Sequence, residues 1–116
     1  MSAKSKCEKV YGLLGLAAKK GAIVSGGSAC ERALKNDARY LMILAADAST
    51  NTRDKFLRYA WGKTAGHIIF GTRYELGRRV GMGVRSVVLV TDEGLARGIC
   101  DLLGFSDDEN GGVKFG

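Results

Sequence analysis

No proline occurs in the 116 residues, so no position lacks a backbone N–H or has a locked φ, and breaks between elements fall to glycine, serine, asparagine and aspartate. Glycine is correspondingly plentiful, at 17 residues. Cysteine is scarce. Cys7, Cys30 and Cys100 stand far apart without CxxC or Cys/His spacing, which argues against a disulfide framework or a metal site and for reduced, partly buried thiols in helical segments. The one histidine, His67, opens the run HIIF with no partner carboxylate or nucleophile nearby in sequence. It reads as a strand-end residue, with a catalytic base as the competing role. No apolar run approaches the roughly 20 residues that cross a bilayer. The basic opening MSAKSKCEKV leads into a segment broken by Gly12, Gly15, Lys19 and Lys20 rather than into a signal-peptide core. The expectation is a cytoplasmic protein with no membrane segment.

Acidic residues are the minority, 12 against 18 Lys+Arg, for a formal net charge of +6. They are also concentrated at the end. From Ser106 onward the chain has three acids and one lysine, so the remainder holds 17 Lys+Arg against 9 Asp+Glu, a charge of +8. A basic body favours encounter with polyanions, although solubility alone also accounts for such a charge. Enzyme signatures are missing. There is no GxxxxGK[ST] and no GxSxG, and the GxG of Gly81 and Gly83 leads into a strand instead of opening a helix. No catalytic residue, metal ligand or cofactor is expected.

The stretch Gly21 to Lys35, GAIVSGGSACERALK, places a glycine pair between a short apolar run and a helical pattern. A helix start there offers unpaired N–H groups to an anion, and Lys20 before it with Arg32 after it suit a phosphate. Ser28 and Glu31 also fit a capping box, which would account for them structurally. Before this stretch, Val10, Leu13, Leu14 and Ala17 share one helical face, with Gly21 as the stop and AIV as a short strand. After it, Cys30, Ala33 and Leu34 form an apolar stripe ending near Asn36 and Asp37. YLMILA, from Tyr40, reads as a central strand buried on both faces. Ser49, Thr50 or Asn51 can cap a helix carrying Phe56, Leu57, Ala60 and Trp61 inward; Trp61 reads as core, a base-stacking platform being its rival role. Asp47 either orients the loop after the central strand or touches a ligand. His67 to Phe70 is a further strand, and Thr72 with Glu75 forms a capping box for a helix to about Val80, ended by GMG. SVVLV, Ser86 to Val90, is the last strand, and Thr91 or Asp92 opens a helix with Leu95, Ala96, Ile99, Leu102 and Leu103 inward.

Helices alternating with short apolar strands imply a three-layer α/β/α sandwich with a small mixed sheet of about four strands. Residues 1–104 are expected to form a single domain and 105–116 a flexible tail.

LLGLAAKKGAIVSGGSACERALKN, LMILAADAST and ELGRRVGMGVRSVVLV, in this order, resemble the ribosomal protein L-seven-Ae / L-thirty-e family over roughly Lys6 to Leu103, and most of all its small bacterial YlxQ-type members. The resemblance implies a non-enzymatic RNA-binding protein of translation or RNA processing, with ribosomal or other structured RNA, typically a kink-turn, as partner. It implies two RNA loops: Gly26, Gly27, Ser28 and Ala29 with Arg32 one turn on, and Gly81, Met82, Gly83, Val84 and Arg85. Lys20, Arg32 and Arg85 would meet phosphates, Gly26 and Gly27 would allow close approach, Ser28 would hydrogen-bond, and Val84 would pack on a base or sugar. RNA-binding members usually carry Asn-Glu where this chain has Ser28-Ala29, which diminishes base-edge contacts and leaves phosphate and shape contacts. Two rivals stand beside this reading. One is a protein interaction module on a ribosome-associated assembly, with a degenerate RNA site. The other is a small enzyme holding a phosphorylated ligand at the same helix start.

Overall fold

The computed structural model describes residues 5–35, 41–60 and 66–104. The expectations for Trp61 and for the tail 105–116 lie outside these residues. The elements follow in the order α1 (Lys6–Lys19), β1 (Ile23–Ser25), α2 (Gly27–Lys35), β2 (Leu41–Leu44), α3 (Thr50–Ala60), β3 (Gly66–Ile69), α4 (Arg73–Arg79), β4 (Val87–Val90) and α5 (Glu93–Leu102). The strands form one mixed sheet in the order β1-β4-β2-β3, with β2 parallel to β3 and β4 antiparallel to both β1 and β2.

The two continuous apolar runs, LMIL and VVLV, occupy the centre because they alone can be buried on both faces along their whole length. Side-chain alternation divides them between two cores. Leu41, Ile43, Val88 and Val90 face Val10, Leu14, Leu76 and Ile99 of α1, α4 and α5. Met42, Leu44, Val87 and Leu89 face Cys30, Leu34, Phe56 and Ala60 of α2 and α3. The result is the three-layer sandwich with a four-stranded mixed sheet expected from the sequence.

Helix ends follow local chemistry. Ser5, Thr72 and Asp92 cap α1, α4 and α5 by accepting from the amides of Glu8, Glu75 and Leu95, and the Ser49 hydroxyl accepts from the Thr52 amide at the start of α3. Gly21, at φ 74°, ends α1 in a Schellman motif, its N–H bonded to Ala18 O (3.1 Å) and that of Ala22 to Ala17 O (2.8 Å). Gly81, at φ 79°, ends α4 the same way through Arg78 O and Gly77 O.

Three expectations are corrected. The first strand runs from Ile23 to Ser25, one residue later than AIV. Cys7 is exposed rather than partly buried. The Ser28–Glu31 capping box does not form, because the helix already begins at Gly27 and Ser28 lies inside its first turn. Glu31 instead accepts from the Tyr59 hydroxyl (3.0 Å) and pairs with Lys35 and Lys55 (both 3.4 Å). These contacts, the tyrosine bond first, hold its carboxyl below the usual range.

Candidate nucleic-acid interface

Because β1, β2 and β3 run in one direction and β4 in the other, the carboxyl ends of the first three strands and the entry to β4 meet at one end of the sheet. The starts of α2, α3 and α4 gather there, with the loop from Gly81 to Ser86 among them. Of the helix starts, α2 alone has no side-chain cap among the described residues. Gly26 turns into it at φ 91°, a conformation that glycine adopts without strain. The first helical bond runs from the Cys30 amide to Gly26 O (3.0 Å), so the amides of Gly27, Ser28 and Ala29 have no protein acceptor among the described residues. Gly27 and Ser28 are exposed. Unpaired amides at a helix start carry partial positive charge and suit an anion.

Arg85 joins this start to the second loop. Its Nε donates to Ser25 Oγ (3.2 Å) and its Nη1 to Val84 O (3.0 Å), and it passes within 3.7 Å of where a Cβ on Gly26 would stand. The Gly26 amide donates to Val87 O (3.3 Å). Two segments about 60 residues apart in sequence thus form adjoining walls. Arg32, exposed and without an ion-pair partner among the described residues, lies one turn beyond Ser28 on the same outer face of α2. Val84 is 57% exposed at the tip of the opposite wall.

The sequence-expected residues Gly26, Gly27, Ser28, Arg32, Val84 and Arg85 therefore come together. Lys20 does not join them. It sits before β1, at the far end of the sheet, where its Nζ pairs with Asp92 Oδ2 (2.5 Å) at the start of α5. That pairing, followed by the bond from the Leu95 amide, holds the Asp92 carboxyl below its usual value. Asp47 takes the structural role: its Oδ1 accepts from the Arg73 amide (2.8 Å) and its other oxygen lies 3.6 Å from Arg73 Nε.

Arg73, Tyr74 and Gly77 were not singled out from sequence. The Arg85 amide donates to Arg73 O (3.0 Å), and a Cβ on Gly77 would overlap the carbonyl oxygen of Gly83. The loop therefore lies directly on α4, fixed at both ends of its path. A glycine inside the helical run RYELGRR is the trace this leaves in the sequence, since glycine in a helix interior signals a close neighbour more often than a preference for helix.

The model of the ribosomal protein L7Ae/L30e/S12e/Gadd45 family matches residues 8–99. The RNA-binding protein YlxQ of Bacillus subtilis is 34% identical over 93 residues, which cover 80% of this chain and 93% of that protein. Among solved structures, a protein of unknown function from Bacillus halodurans superposes with a TM-score of 0.75 at 31% identity, covering 84% of this chain and 98% of that one. A 15.5kD RNA binding protein from Giardia lamblia has the same fold, with a TM-score of 0.69 at 17% identity over 90% of this chain and 89% of that one.

Proposed function

This chain belongs to the ribosomal protein L7Ae/L30e/S12e/Gadd45 family, and from that premise we propose that it is a non-enzymatic, cytoplasmic RNA-binding protein of the translation or RNA-processing machinery that grips structured RNA at the α2 end of its sheet. The relative named as an RNA-binding protein, at 34% identity, supports the partner class. The observation that carries the site is the uncapped start of α2 clasped by the Arg85 loop. Amides of Gly27, Ser28 and Ala29 receive a phosphate, Arg32 and Arg85 add charge, Gly26 and Gly27 keep the surface thin, and Val84 packs on a base or sugar. Ser28 donates at most one hydrogen bond and Ala29 offers none from its side chain. Recognition of a kink-turn or another bent RNA then rests on backbone and shape more than on base edges.

A catalytic reading gains no support from the neighbouring carboxylates. Asp47 is bound to the start of α4 and Glu31 to Tyr59 and two lysines, so neither is free to act as a base. The test is a salt titration of binding to a bulged RNA hairpin. Arg32→Ala and Arg85→Ala should each weaken binding and reduce the slope of log K against log salt by about 0.7 to 0.9. An unchanged affinity and slope in the double variant would defeat this assignment of the site.

A further inference from the structure

Leu16 is 51% exposed on the outer surface of α1 and belongs to neither core. Beside it, α1 and the end of α4 enclose an open hollow of about 430 Å³. One side is bare helix backbone at Gly12 and Gly15, and the other is the end of α4 at Arg79 and Gly81. The fold does not ask for either of the α1 glycines. Neither has a positive φ, a Cβ on Gly12 would meet nothing within 4 Å, and one on Gly15 would stand 3.8 Å from Arg79 O, an ordinary contact. Alanine would fit at both and is the better helix former. What the glycines provide is close access to backbone next to an exposed leucine. Charge frames this surface. Lys9, Gly12, Leu16 and Lys19 follow one another at i, i+3, i+7 and i+10, so they share one face, with the lysines at its ends about 15 Å apart at the rise of a helix. The lysines with ion-pair partners among the described residues are Lys20, Lys35 and Lys55. Lys9 and Lys19 are exposed and outside those pairs, whereas the Arg79 guanidinium is matched by Glu8 (3.1 Å) and Glu75 (3.2 Å).

We propose that this hollow is a docking groove for a partner protein, filled by an acidic amphipathic helix whose apolar side chains pack on Leu16 and the backbone of Gly12 and Gly15 while carboxylates on either side meet Lys9 and Lys19. Helix-in-groove recognition needs an apolar anchor at its centre and matched charge at its rim, and this face has both. The lysines set the sign of the partner, since acids complement them and a basic helix meets repulsion. A small molecule fits less well, because sites for small ligands bury most of the ligand's surface and this hollow lies open along α1. RNA fits less well too. The centre is apolar, and no aromatic side chain lines it for a base to stack on. The groove belongs to the α1/α4 layer and α2 to the layer across the sheet, so a molecule holding RNA at the α2 start keeps this face open. The proposal therefore stands without the RNA reading.

The probe is a synthetic amphipathic helix with leucines on one face flanked by glutamates, beside a version with every glutamate replaced by lysine, each titrated into the full chain and read by amide chemical shifts. The glutamate helix should bind saturably, with the largest changes at Gly12, Gly15, Leu16, Lys19 and Gly81, and the lysine helix should not bind. Leu16→Ser should weaken binding about tenfold, as loss of an interface anchor does. Lys9→Glu/Lys19→Glu should reverse the preference, releasing the glutamate helix and taking up the lysine one, which a merely structural role for the lysines would not produce. All three side chains are exposed, so circular-dichroism melting of the variants should match wild type. Absence of binding, changes centred elsewhere, or equal binding of the two helices would overturn the proposal. So would a dimer in sedimentation that Leu16→Ser dissolves, which makes the occupant a second copy, or a bulged RNA hairpin that shifts these same amides, which makes it nucleic acid.

Discussion

Gly26 carries two demands at once, a left-handed turn out of β1 and an open first turn of α2 with no side chain over its amides. Gly26→Ala should lower stability by about 1 to 2 kcal/mol from the strained φ alone, measured by urea unfolding, and should weaken RNA binding by tilting the helix start. Cys30 is inert for the opposite reason. Packed between α2 and the sheet, with Val24 O at 3.4 Å, its thiol is pushed by burial to about 12. In the unfolded chain the thiol ionises near its ordinary value of about 8.5. The folded value is the higher one, so this contribution to stability is complete below about pH 8.5 and is lost as pH climbs toward 12. Comparing unfolding at pH 8 and pH 10, Cys30→Ala should show a smaller loss than wild type. Native alkylation should modify exposed Cys7 first and Cys30 last.

At the scale of elements, α4 and its loop are one unit, because the Gly83 carbonyl occupies the space a side chain on Gly77 would need. Gly77→Ala must push the loop off the helix. It should destabilise by about 1 to 3 kcal/mol and weaken RNA binding beyond what the stability loss explains, whereas exposed Gly12→Ala, with open space around it, should do neither. The contrast is measurable by thermal melting and filter binding of the two variants. This junction also marks where sequence reading stops. The central strands were legible because LMIL and VVLV are apolar without interruption, and Thr72 was legible because its hydroxyl caps within three residues. The start of α2 was misread as a Ser28 cap because a glycine pair leaves the first helical residue undetermined by local chemistry. The two loops came from ordered motifs. Arg73 stayed hidden because its place under the loop is set by the bond from the Arg85 amide to its carbonyl, a tertiary contact without a periodic trace.

For the whole molecule, topology decides which charges act together. Lys20 and Arg85 are both basic and both near β1, yet the direction of that strand sends them to opposite ends of the sheet. Lys20→Ala should therefore change RNA affinity less than Arg85→Ala at equal salt, its main effect being on Asp92 and the start of α5. That comparison needs only anisotropy titrations of the two variants. Whether RNA is held at the end where α2 begins can be read by amide chemical-shift mapping during titration with a bulged RNA hairpin. The largest changes should fall at Gly26 to Ala29, Arg32, Arg73 and Met82 to Arg85, with Lys20 to Ala22 and Thr91 to Asp92 nearly still. Changes centred on that second group, with the first unmoved, would contradict an RNA site at that end.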